Sequence, residues 1–420
     1  MNVARNGSGK GAGATVLVTD ADRGAAIAII RSLGRAGFRV IAADLHSGSL
    51  GFRSRYVSGR VVYPPPGTES AAFVDTLQRA VRDSNVDLII PVTDEIVHLV
   101  ARHRDRFEPD CLVAVAEAKS LRTVMDKART MELAERLGIP TPRTSVVQST
   151  AEALVAAESI GWPVVLKTAQ SPCYDPATGH LERRPVRYAQ DARTLARRMT
   201  EVGEGRRVLI QEYAPGVGHG VEILADRGRV ITAFQHKRLA EIPLSGGASA
   251  WRESVALDPV LYRHSTRFVK ALSWTGLMMV EFKVGQSIKL MEINGRVWGS
   301  LPLAVFSGVD FPALLAQMLL NGTAATVTEL KPDYRVGVQA FNLELITLWI
   351  LEVLAGRQRY PFLSYPRRRE ALGAIRGLLH GKFDILSRDD PRPGLAEIPK
   401  IARKVAVKIR DSFRREAVDP

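Results

Sequence analysis

Two short apolar runs in the second half of the chain each carry one acidic residue. Val280–Lys283 reads VEFK and Met291–Arg296 reads MEINGR, so Glu281 and Glu292 are predicted to lie on neighbouring strands. Burying a carboxylate is costly unless a cation pairs with it. Asn294 follows Glu292 by two residues and therefore lies on the same face of its strand. Two carboxylates and one amide oxygen form a hard-oxygen set that suits Mg²⁺ bridging nucleotide phosphates.

Arg296 continues the same alternation along the second strand. Its guanidinium group can form a forked pair of hydrogen bonds with a phosphate or acylphosphate oxygen. The same residues are also typical of a structural Glu–Arg pair across a hairpin. From this motif alone, both interpretations stay open.

The elements that precede this motif begin with an alternation of short apolar strands and amphipathic helices. This alternation is typical of a parallel sheet with right-handed crossovers, which binds ligands at the carboxyl ends of its strands. Asp20, Asp44 and the turn Thr93–Glu95 are predicted to lie at that edge. The predicted strands are Thr15–Val18, Arg39–Ala43, Val61–Tyr63 and Asp87–Ile90, and the predicted helices are Ala25–Leu33 and Ala71–Arg82.

From about Ser120 the pattern changes to successive strands, which favours a separate, mostly antiparallel α+β unit. A helix at Lys127–Leu137 opens this unit, and helices at Trp298–Phe306 and Phe311–Asn321 close it. The predicted strands are Pro163–Thr168, Arg207–Tyr213, Val221–Ala225, Val230–His236, Arg252–Val255, Met278–Lys283 and Ile288–Ile293.

After Lys331 the chain is basic and interrupted by prolines. Ala340–Ala355 is a predicted helix, and Arg367–Arg369 open a basic stretch with apolar residues at helical spacing. Such a helix buries its apolar face either on the body of the protein or at an anionic membrane surface. Since the prolines divide the region into short pieces that a packed surface would organise, docking on the body is expected. Weak contact with an anionic membrane surface is the alternative.

The composition is that of a globular protein: 46% of the 420 residues are apolar and 24% are charged. The two cysteines exclude a disulfide scaffold and fit a reducing compartment, and the N-terminus lacks the apolar core of a secretory signal, so a cytoplasmic location is expected. The net charge of +14 favours anionic partners, and residues 331–420 hold 18 basic against 11 acidic residues. Aromatic residues are sparse among them, so no specific nucleic acid is expected.

Two segments imitate nucleotide-binding motifs without meeting their requirements. Gly7–Gly13 reads GSGKGAG, but Gly follows Lys10 where a phosphate loop needs Ser or Thr, and the segment precedes the first strand. Asp20–Gly24 joins a strand to a helix but lacks the glycines of a dinucleotide fingerprint. Neither is interpreted as a site.

Several motifs in order resemble the ATP-grasp superfamily, specifically its carbamoyl-phosphate-synthase-like branch of carboxylate–amine ligases. The resemblance covers about residues 15–322. Besides VEFK and MEINGR, the motifs are Asp126-Lys127 followed by LGIPTP, PVVLK at Pro163–Lys167, and VLIQEYAPG at Val208–Gly216. Their order makes the resemblance far more specific than any single motif.

The resemblance implies roles for residues that the metal motif does not include. Lys127 and Lys167 would reach the nucleotide phosphates. The hinge between the two subdomains would meet adenine through Gln211, Glu212, Tyr213 and Ala214. Glu222 would accept a hydrogen bond from a ribose hydroxyl, with His219 competing for that neighbourhood.

The segment from His236 to Ser254 also resembles this branch. Its cations Lys237 and Arg238 and its Gly246-Gly247 turn suit clamping an anionic acceptor or the γ-phosphoryl group. With Arg296, these two residues form the expected catalytic set; a solvated hairpin is the alternative. The family's short, Gly-rich phosphate-covering loop is replaced here by Ser171–Arg187, which would close over ATP or over substrate. Cys173 within it has no evident histidine partner that would activate it as a nucleophile.

The implied fold is α/β plus α+β. An N-terminal parallel-sheet pre-ATP-grasp domain at 15–118 follows a disordered tail at 1–14. A two-subdomain ATP-grasp fold comes next, its small subdomain at 119–212 and its large subdomain with the metal site at 213–328. Residues 329–420 form a basic helical extension.

The implied function is an ATP-dependent ligase that joins a carboxylate to an amine through an acylphosphate, releasing ADP and phosphate. ATP and Mg²⁺ or Mn²⁺ would be its cofactors, and small-molecule carboxylates and amines its substrates. One alternative is a carbamoyl-phosphate-type kinase or carboxylase acting on bicarbonate. Another is a non-catalytic nucleotide-binding protein whose basic tail binds a membrane or partner. The resemblance is compatible with a homodimer.

Overall fold

The structure is a computed structural model of the chain. It describes residues 13–108, 110–169, 173–174, 181–182, 186–203, 205–322, 333–356 and 360–416. The tail at 1–12, most of the Gly7–Gly13 segment, and the side chains of the loop at 170–185, including Cys173, lie outside the described residues. The predictions made for them stay predictions.

The N-terminal part is a five-stranded parallel sheet in the order β3-β2-β1-β4-β5. The apolar strand β1 lies at the centre because all four of its side chains are buried between helices on both faces. This confirms the predicted parallel sheet. Its strands are β1 (Thr15–Val18), β2 (Arg39–Asp44), β3 (Val57–Val62), β4 (Leu88–Ile90) and β5 (Leu112–Val113), and its helices are α1 (Gly24–Arg35), α2 (Ser70–Ser84) and α3 (Asp94–Arg102).

A four-stranded antiparallel sheet in the order β10-β7-β11-β6 follows, and two helices, α6 and α7, pack on it around a core of its own. The elements of this region are α4 (Ala118–Met125), α5 (Lys127–Arg136), β6 (Thr144–Val147), α6 (Thr150–Ile160), β7 (Val164–Thr168), β8 (Cys173–Tyr174), β9 (Leu181–Glu182), β10 (Arg187–Ala189), α7 (Ala192–Val202) and β11 (Val208–Glu212).

The third sheet has seven strands in the order β16-β15-β12-β13-β14-β17-β18 and is antiparallel except for the pair β17–β18. Its strands are β12 (Val217–Asp226), β13 (Arg229–Ile242), β14 (Ala248–Ser254), β15 (Gly276–Val284), β16 (Ile288–Asn294), β17 (Gln339–Phe341) and β18 (Lys382–Phe383). The helices are α8 (Pro259–Ala271), α9 (Leu301–Ser307), α10 (Phe311–Asn321), α11 (Leu343–Ala355), α12 (Arg368–Leu378) and α13 (Pro391–Glu416).

Within the described ranges, no single helix is long and apolar enough to cross a membrane. The pair α9 and α10 meets the length and composition requirements only together, and the two helices are bent by 93°.

The packing of α4 and α5 bears on the predicted subdomain boundary at residue 119. Apolar side chains of both helices, such as Val124 and Met131, share a core with Val221 and Val280 of the seven-stranded sheet. The core of the four-stranded sheet begins only at Val147. We therefore propose that the small subdomain begins at β6.

The C-terminal region docks on the body, as its sequence led us to expect. Phe341 of β17 stacks on Trp251 of β14, with their ring centroids 5.3 Å apart. The predicted helix at Ala340–Ala355 is wrong at its start, since β17 occupies Gln339–Phe341 and the side chain of Asn342 caps α11 by accepting from Leu345 N–H. The region is therefore not purely helical, because its two short strands extend the large sheet.

Two buried ion pairs attach this region to the other parts. Arg252 of β14 pairs with Asp384, and both side chains are almost fully buried. Arg31 of α1 pairs with Asp390 at 3.0 Å, with side chains 5% and 1% exposed. Arg31 also donates to the carbonyl oxygen of Ile385 at 2.7 Å. The C-terminal region thus binds both the N-terminal domain and the large sheet.

Asp390→Asn should destabilise the fold strongly, because it leaves the charge of Arg31 buried without a counter-ion. Breaking a buried pair by removing one partner costs about 3–5 kcal/mol. The neighbouring Asp389→Asn is the matched control, since Asp389 meets Arg35 at the surface with both side chains more than 40% exposed, and exposed pairs contribute about 1 kcal/mol or less. Urea denaturation of the full chain measures both changes. Equal losses in the two variants would contradict the assignment.

Candidate functional site

The two acidic residues of the metal motif lie directly opposite each other. Glu281 of β15 pairs with Glu292 of β16 in the antiparallel register, which confirms that they occupy neighbouring strands. Gly220 of β12 is the next residue across the sheet from Glu281. A Cβ at Gly220 would lie 2.4 Å from the ring of His236 on β13. Glycine is therefore the residue that fits at this position, between Glu281 of β15 and His236 of β13.

Asn294 brings the two carboxylates to a single point. Its Nδ2 atom lies 3.0 Å from Glu281 Oε1 and 3.5 Å from Glu292 Oε1. The side-chain N–H group of Asn294 thus occupies the point where a cation would contact both carboxylates. Rotation of this amide by 180° would place its oxygen there, where it could bind the cation. Among the described residues no three His, Cys, Asp or Glu side chains cluster as a metal site. Mg²⁺ would therefore depend on these two carboxylates, the amide oxygen and ligands from a phosphate.

Cations neutralise the two carboxylates unequally. Lys127 lies 3.3 Å from Glu292, and together with Lys167 it lowers the pKa of that carboxyl to about 2. Glu281 pairs with Arg238 at 2.5 Å, yet burial raises its pKa because its side chain is only 12% exposed. The Glu292 side chain, 36% exposed, opens toward solvent. The site therefore holds one firmly ionised carboxylate and one that needs a further cation.

Lys127 and Lys167 reach the site from different elements. Lys127 is the first residue of α5, which Asp126 caps by accepting from the N–H groups of Ala128 and Arg129. Its own backbone N–H donates to Ala169 at the end of β7, 2.7 Å away. This bond holds the start of α5 beside the strand that carries Lys167.

Lys167 is a lysine whose charge is easily lost. Its Nζ donates to Gln211 Oε1 at 2.8 Å, and Gln211 in turn donates to Thr144 Oγ1. Withdrawal from water and the nearby charge of Lys127 lower its pKa to about 8, against the attraction of Glu292. An arriving phosphate would supply the counter-charge that this lysine lacks.

The hinge residues lie beside an aromatic cluster. Glu212 accepts from the backbone N–H of Arg143; this bond and the charge of Lys289 outweigh burial and lower the pKa of its carboxyl. Tyr213 packs edge-on against Phe362, with ring centroids 5.3 Å apart, and half-buried Ala214 follows it.

Sequence reasoning missed the partners of Tyr213. One partner, Tyr188, lies on β10, and the other, Phe362, lies in the segment that follows residue 359, far from Tyr213 in the sequence. No local sequence pattern points to either contact. The cluster consists of Tyr188, Tyr213, Tyr360 and Phe362.

The two predicted cations of β13 do not act together. Arg238 faces Glu281 and also pairs with Glu241 at 2.9 Å. Lys237 pairs instead with Glu253 of β14, 3.3 Å away. Lys237 therefore points to the opposite face of the sheet from Arg238, because successive strand residues alternate in direction.

Glu222, the residue predicted to accept from a ribose hydroxyl, lies in the interior of the structure. Its carboxylate is fully buried, lies 2.9 Å from His236 Nδ1 and accepts from Ser300 Oγ at 2.8 Å. His219, which the sequence placed in the same neighbourhood, contacts Gln235 instead: its Nδ1 atom lies 3.2 Å from the amide nitrogen of Gln235. Glu222 is thus part of a buried polar group on the same face of the sheet as Asn294.

Arg296 is held by the N-terminal domain. Its Nε donates to Asp94 Oδ1 at 2.6 Å, and both side chains are less than 20% exposed. Asp94 opens α3 just beyond the end of β4, in the turn that the sequence placed at the ligand-binding edge of the parallel sheet. The sequence indicated both residues but not that they pair.

Comparisons with known proteins agree with this geometry. Residues 204–340 match the family described as ATP-grasp in the biosynthetic pathway with Ter operon, and residues 116–225 match an ATP-grasp domain family. Among solved structures, biotin carboxylase from Campylobacter jejuni (TM-score 0.60, 17% identity, 77% of this chain and 74% of that one) and an L-amino acid ligase from Bacillus licheniformis (0.60, 14%, 78% of each) share the fold. The two family matches together span residues 116–340, and the chain belongs to the ATP-grasp family.

Curated relatives that the chain matches include large chains of carbamoyl phosphate synthase. The one from Thermomicrobium roseum is 30% identical over 204 residues, which cover 47% of this chain and 18% of the relative. The one from Myxococcus xanthus is 25% identical over 309 residues, 70% of this chain and 26% of the relative. The chain therefore spans about a quarter or less of these relatives. The predicted cofactors, ATP and Mg²⁺, fit the family.

The low pKa of Lys167 predicts a pH dependence of ATP affinity. Below about pH 8 the free lysine is charged and attracts phosphate; above it, binding must take up a proton, so affinity should fall up to about tenfold per pH unit. Titration calorimetry with ATP from about pH 7 to 9.5 measures this. Lys167→Gln is the control variant: it should bind ATP more weakly at pH 7, and its affinity should not fall as the pH rises. An equal decline in that variant would show that another group titrates.

Proposed function

We propose that the protein is an ATP-dependent carboxylate–amine ligase that forms an acylphosphate and releases ADP and phosphate. The observation that carries the proposal is the convergence of Glu281 and Glu292 on Asn294 beside Lys127. This arrangement supplies two oxygen ligands on one side and a phosphate-binding cation on the other. A solely structural Glu–Arg pair needs only one acid and one base.

Lys127 and Lys167 bind and orient the phosphates, and Gln211 holds the ammonium group of Lys167. Mg²⁺, held by Glu281, Glu292 and Asn294 when bound, neutralises charge on the phosphate oxygens. A substrate carboxylate oxygen attacks the γ-phosphorus, and the bond to ADP breaks. The protein's part in this step is positioning and electrostatic stabilisation.

Arg296 acts in the second step. The amine attacks the acyl carbon, a proton leaves the nitrogen, and the C–O bond to phosphate breaks. Arg296 donates to the oxyanion of the tetrahedral intermediate, while its Nε remains on Asp94, which fixes the plane of the guanidinium group. Arg238 keeps Glu281 in place and extends the positive field.

The carboxylate and the amine are proposed to be small molecules, such as amino acids. Bicarbonate is the alternative phosphoryl acceptor; one structural neighbour, the biotin carboxylase domain of 2-oxoglutarate carboxylase from Hydrogenobacter thermophilus, is described in complex with ADP and bicarbonate. A homodimer is a further proposal; the same structural neighbour is described as a dimer. The predicted membrane-surface contact of the C-terminal region stays a prediction.

Glu292→Gln and Asn294→Ala should lower the affinity for ATP about tenfold or more when Mg²⁺ is present and much less when it is chelated. Each variant removes a ligand of the metal rather than of the nucleotide. Turnover should fall about a hundredfold or more, in line with the loss of a transition-state contact. Lys237→Gln is the control, because Lys237 neighbours Arg238 but faces the other side of the sheet. Unchanged affinity and turnover in both site variants would refute the metal assignment.

The reaction is tested with an ADP-release screen of amino-acid pairs and bicarbonate, followed by isotope labelling. With ¹⁸O in the substrate carboxylate, one labelled oxygen should appear in the released phosphate, because it bridges carbon and phosphorus in the acylphosphate. AMP and pyrophosphate as products would show adenylation instead. ADP release that depends on bicarbonate alone would favour the alternative acceptor.

A further inference from the structure

Helix α12 presents two of its three large apolar side chains to solvent, and Leu378 packs on the body. The side chains of Leu372 and Ile375 are 56% and 45% exposed. Leu379, the residue just beyond the end of the helix, is 78% exposed. The buried residues of the same helix are the small Ala371 and Ala374, both 0% exposed. This inverts the usual arrangement of a surface helix, in which the large apolar residues face the core.

The orientation of α12 is set by close packing. A Cβ at Gly377 would lie 2.9 Å from Phe341 and 3.4 Å from Trp251, so the helix rests against these rings with no room for a side chain. Ala371 and Ala374 pack in the same cluster with Ile346 of α11. Gly377 leaves no room for a side chain at this contact, and Leu372 and Ile375 lie away from it, whereas the half-buried Leu378 packs on the cluster.

Arginines flank the exposed stripe. Helix geometry places Leu372, Ile375 and Leu379 within about 60° of arc, and Arg376 and Arg369 about 40° and about 60° beyond the edge of that arc at Leu372. Both arginines and Arg368 are exposed. Glu370 is the one acidic residue in the sequence of α12, which makes this surface positive as well as apolar.

We propose that this face of α12 docks on an anionic phospholipid membrane and lies in the plane of its interface. Interfacial helices combine a buried apolar stripe with basic residues at its border, where they meet the lipid phosphates. A second copy of the chain is a poorer occupant, since two-fold pairing of this face would bring the arginines of one copy against those of the other. The proposal is independent of the ligase reaction.

The test is sedimentation of the full chain with vesicles. It should bind vesicles of phosphatidylcholine mixed with phosphatidylglycerol and not those of phosphatidylcholine alone. Binding should weaken as NaCl rises from about 0.05 to 0.5 M, over which the Debye length shortens severalfold.

Two double variants separate the apolar and the charged parts. Leu372→Ser with Leu379→Ser should weaken vesicle binding about tenfold or more, because the inserted apolar area is lost. Arg369→Gln with Arg376→Gln should weaken it about 25-fold, from about fivefold per arginine near an anionic surface. The matched control is Val155→Ser with Arg227→Gln, which removes an exposed apolar side chain and an exposed cation elsewhere (73% and 84% exposed). Thermal melting and ATP affinity should stay unchanged in all three.

Three results would overturn the proposal. The first is no binding to the anionic vesicles at low salt, and the second is binding that the control weakens as much as the α12 variants do. The third is a concentration-dependent dimer in analytical ultracentrifugation that Leu372→Ser with Leu379→Ser abolishes, because the stripe would then be a contact between copies of the chain.

Discussion

Two carboxylates that face each other across a pair of strands repel, and the arrangement persists only if cations come from elsewhere in the chain. Glu281 and Glu292 impose this requirement on the seven-stranded sheet. Arg238 of β13, in the same sheet, supplies the cation beside Glu281. Lys127, at the start of α5, supplies the cation beside Glu292, and its backbone N–H holds α5 to the strand that carries Lys167. The large sheet and the strand that carries Lys167 thus meet at a site where these charges offset one another.

Polar side chains are also buried next to the two carboxylates. Gly220 leaves room for the ring of His236, which lies over it and meets the buried carboxylate of Glu222. Ser300, just before α9, supplies a hydroxyl donor to that carboxylate. These residues lie on the same face of the sheet as Glu281 and Asn294, where they form a buried hydrogen-bonded group beside apolar side chains such as Phe234 and Met279.

The sequence predicted those parts of the protein that depend on local pattern. The parallel N-terminal sheet follows from buried strands alternating with helices, and the opposition of Glu281 and Glu292 follows from two adjacent strands with one acidic residue each. The side to which Lys237 points was not predicted, because a resemblance of segments does not give the phase of a strand. The pairing of Arg296 with Asp94 and the packing of Phe362 on Tyr213 also escaped prediction. Both join residues more than a hundred positions apart, and no spacing in the chain records such a contact.

The bond between Asp94 and Arg296 has a consequence for how such proteins recombine. Its donor and acceptor belong to different domains, so a gene fusion that exchanged the N-terminal domain as a module would separate them unless the incoming domain carried an acid at the same turn. The C-terminal region adds a second constraint of this kind, because Asp390 reaches back to Arg31. A functional chimera would therefore have to keep the N-terminal domain and the C-terminal region together, and an exchanged pair of ends would need acids at the positions of Asp94 and Asp384 to meet Arg296 and Arg252.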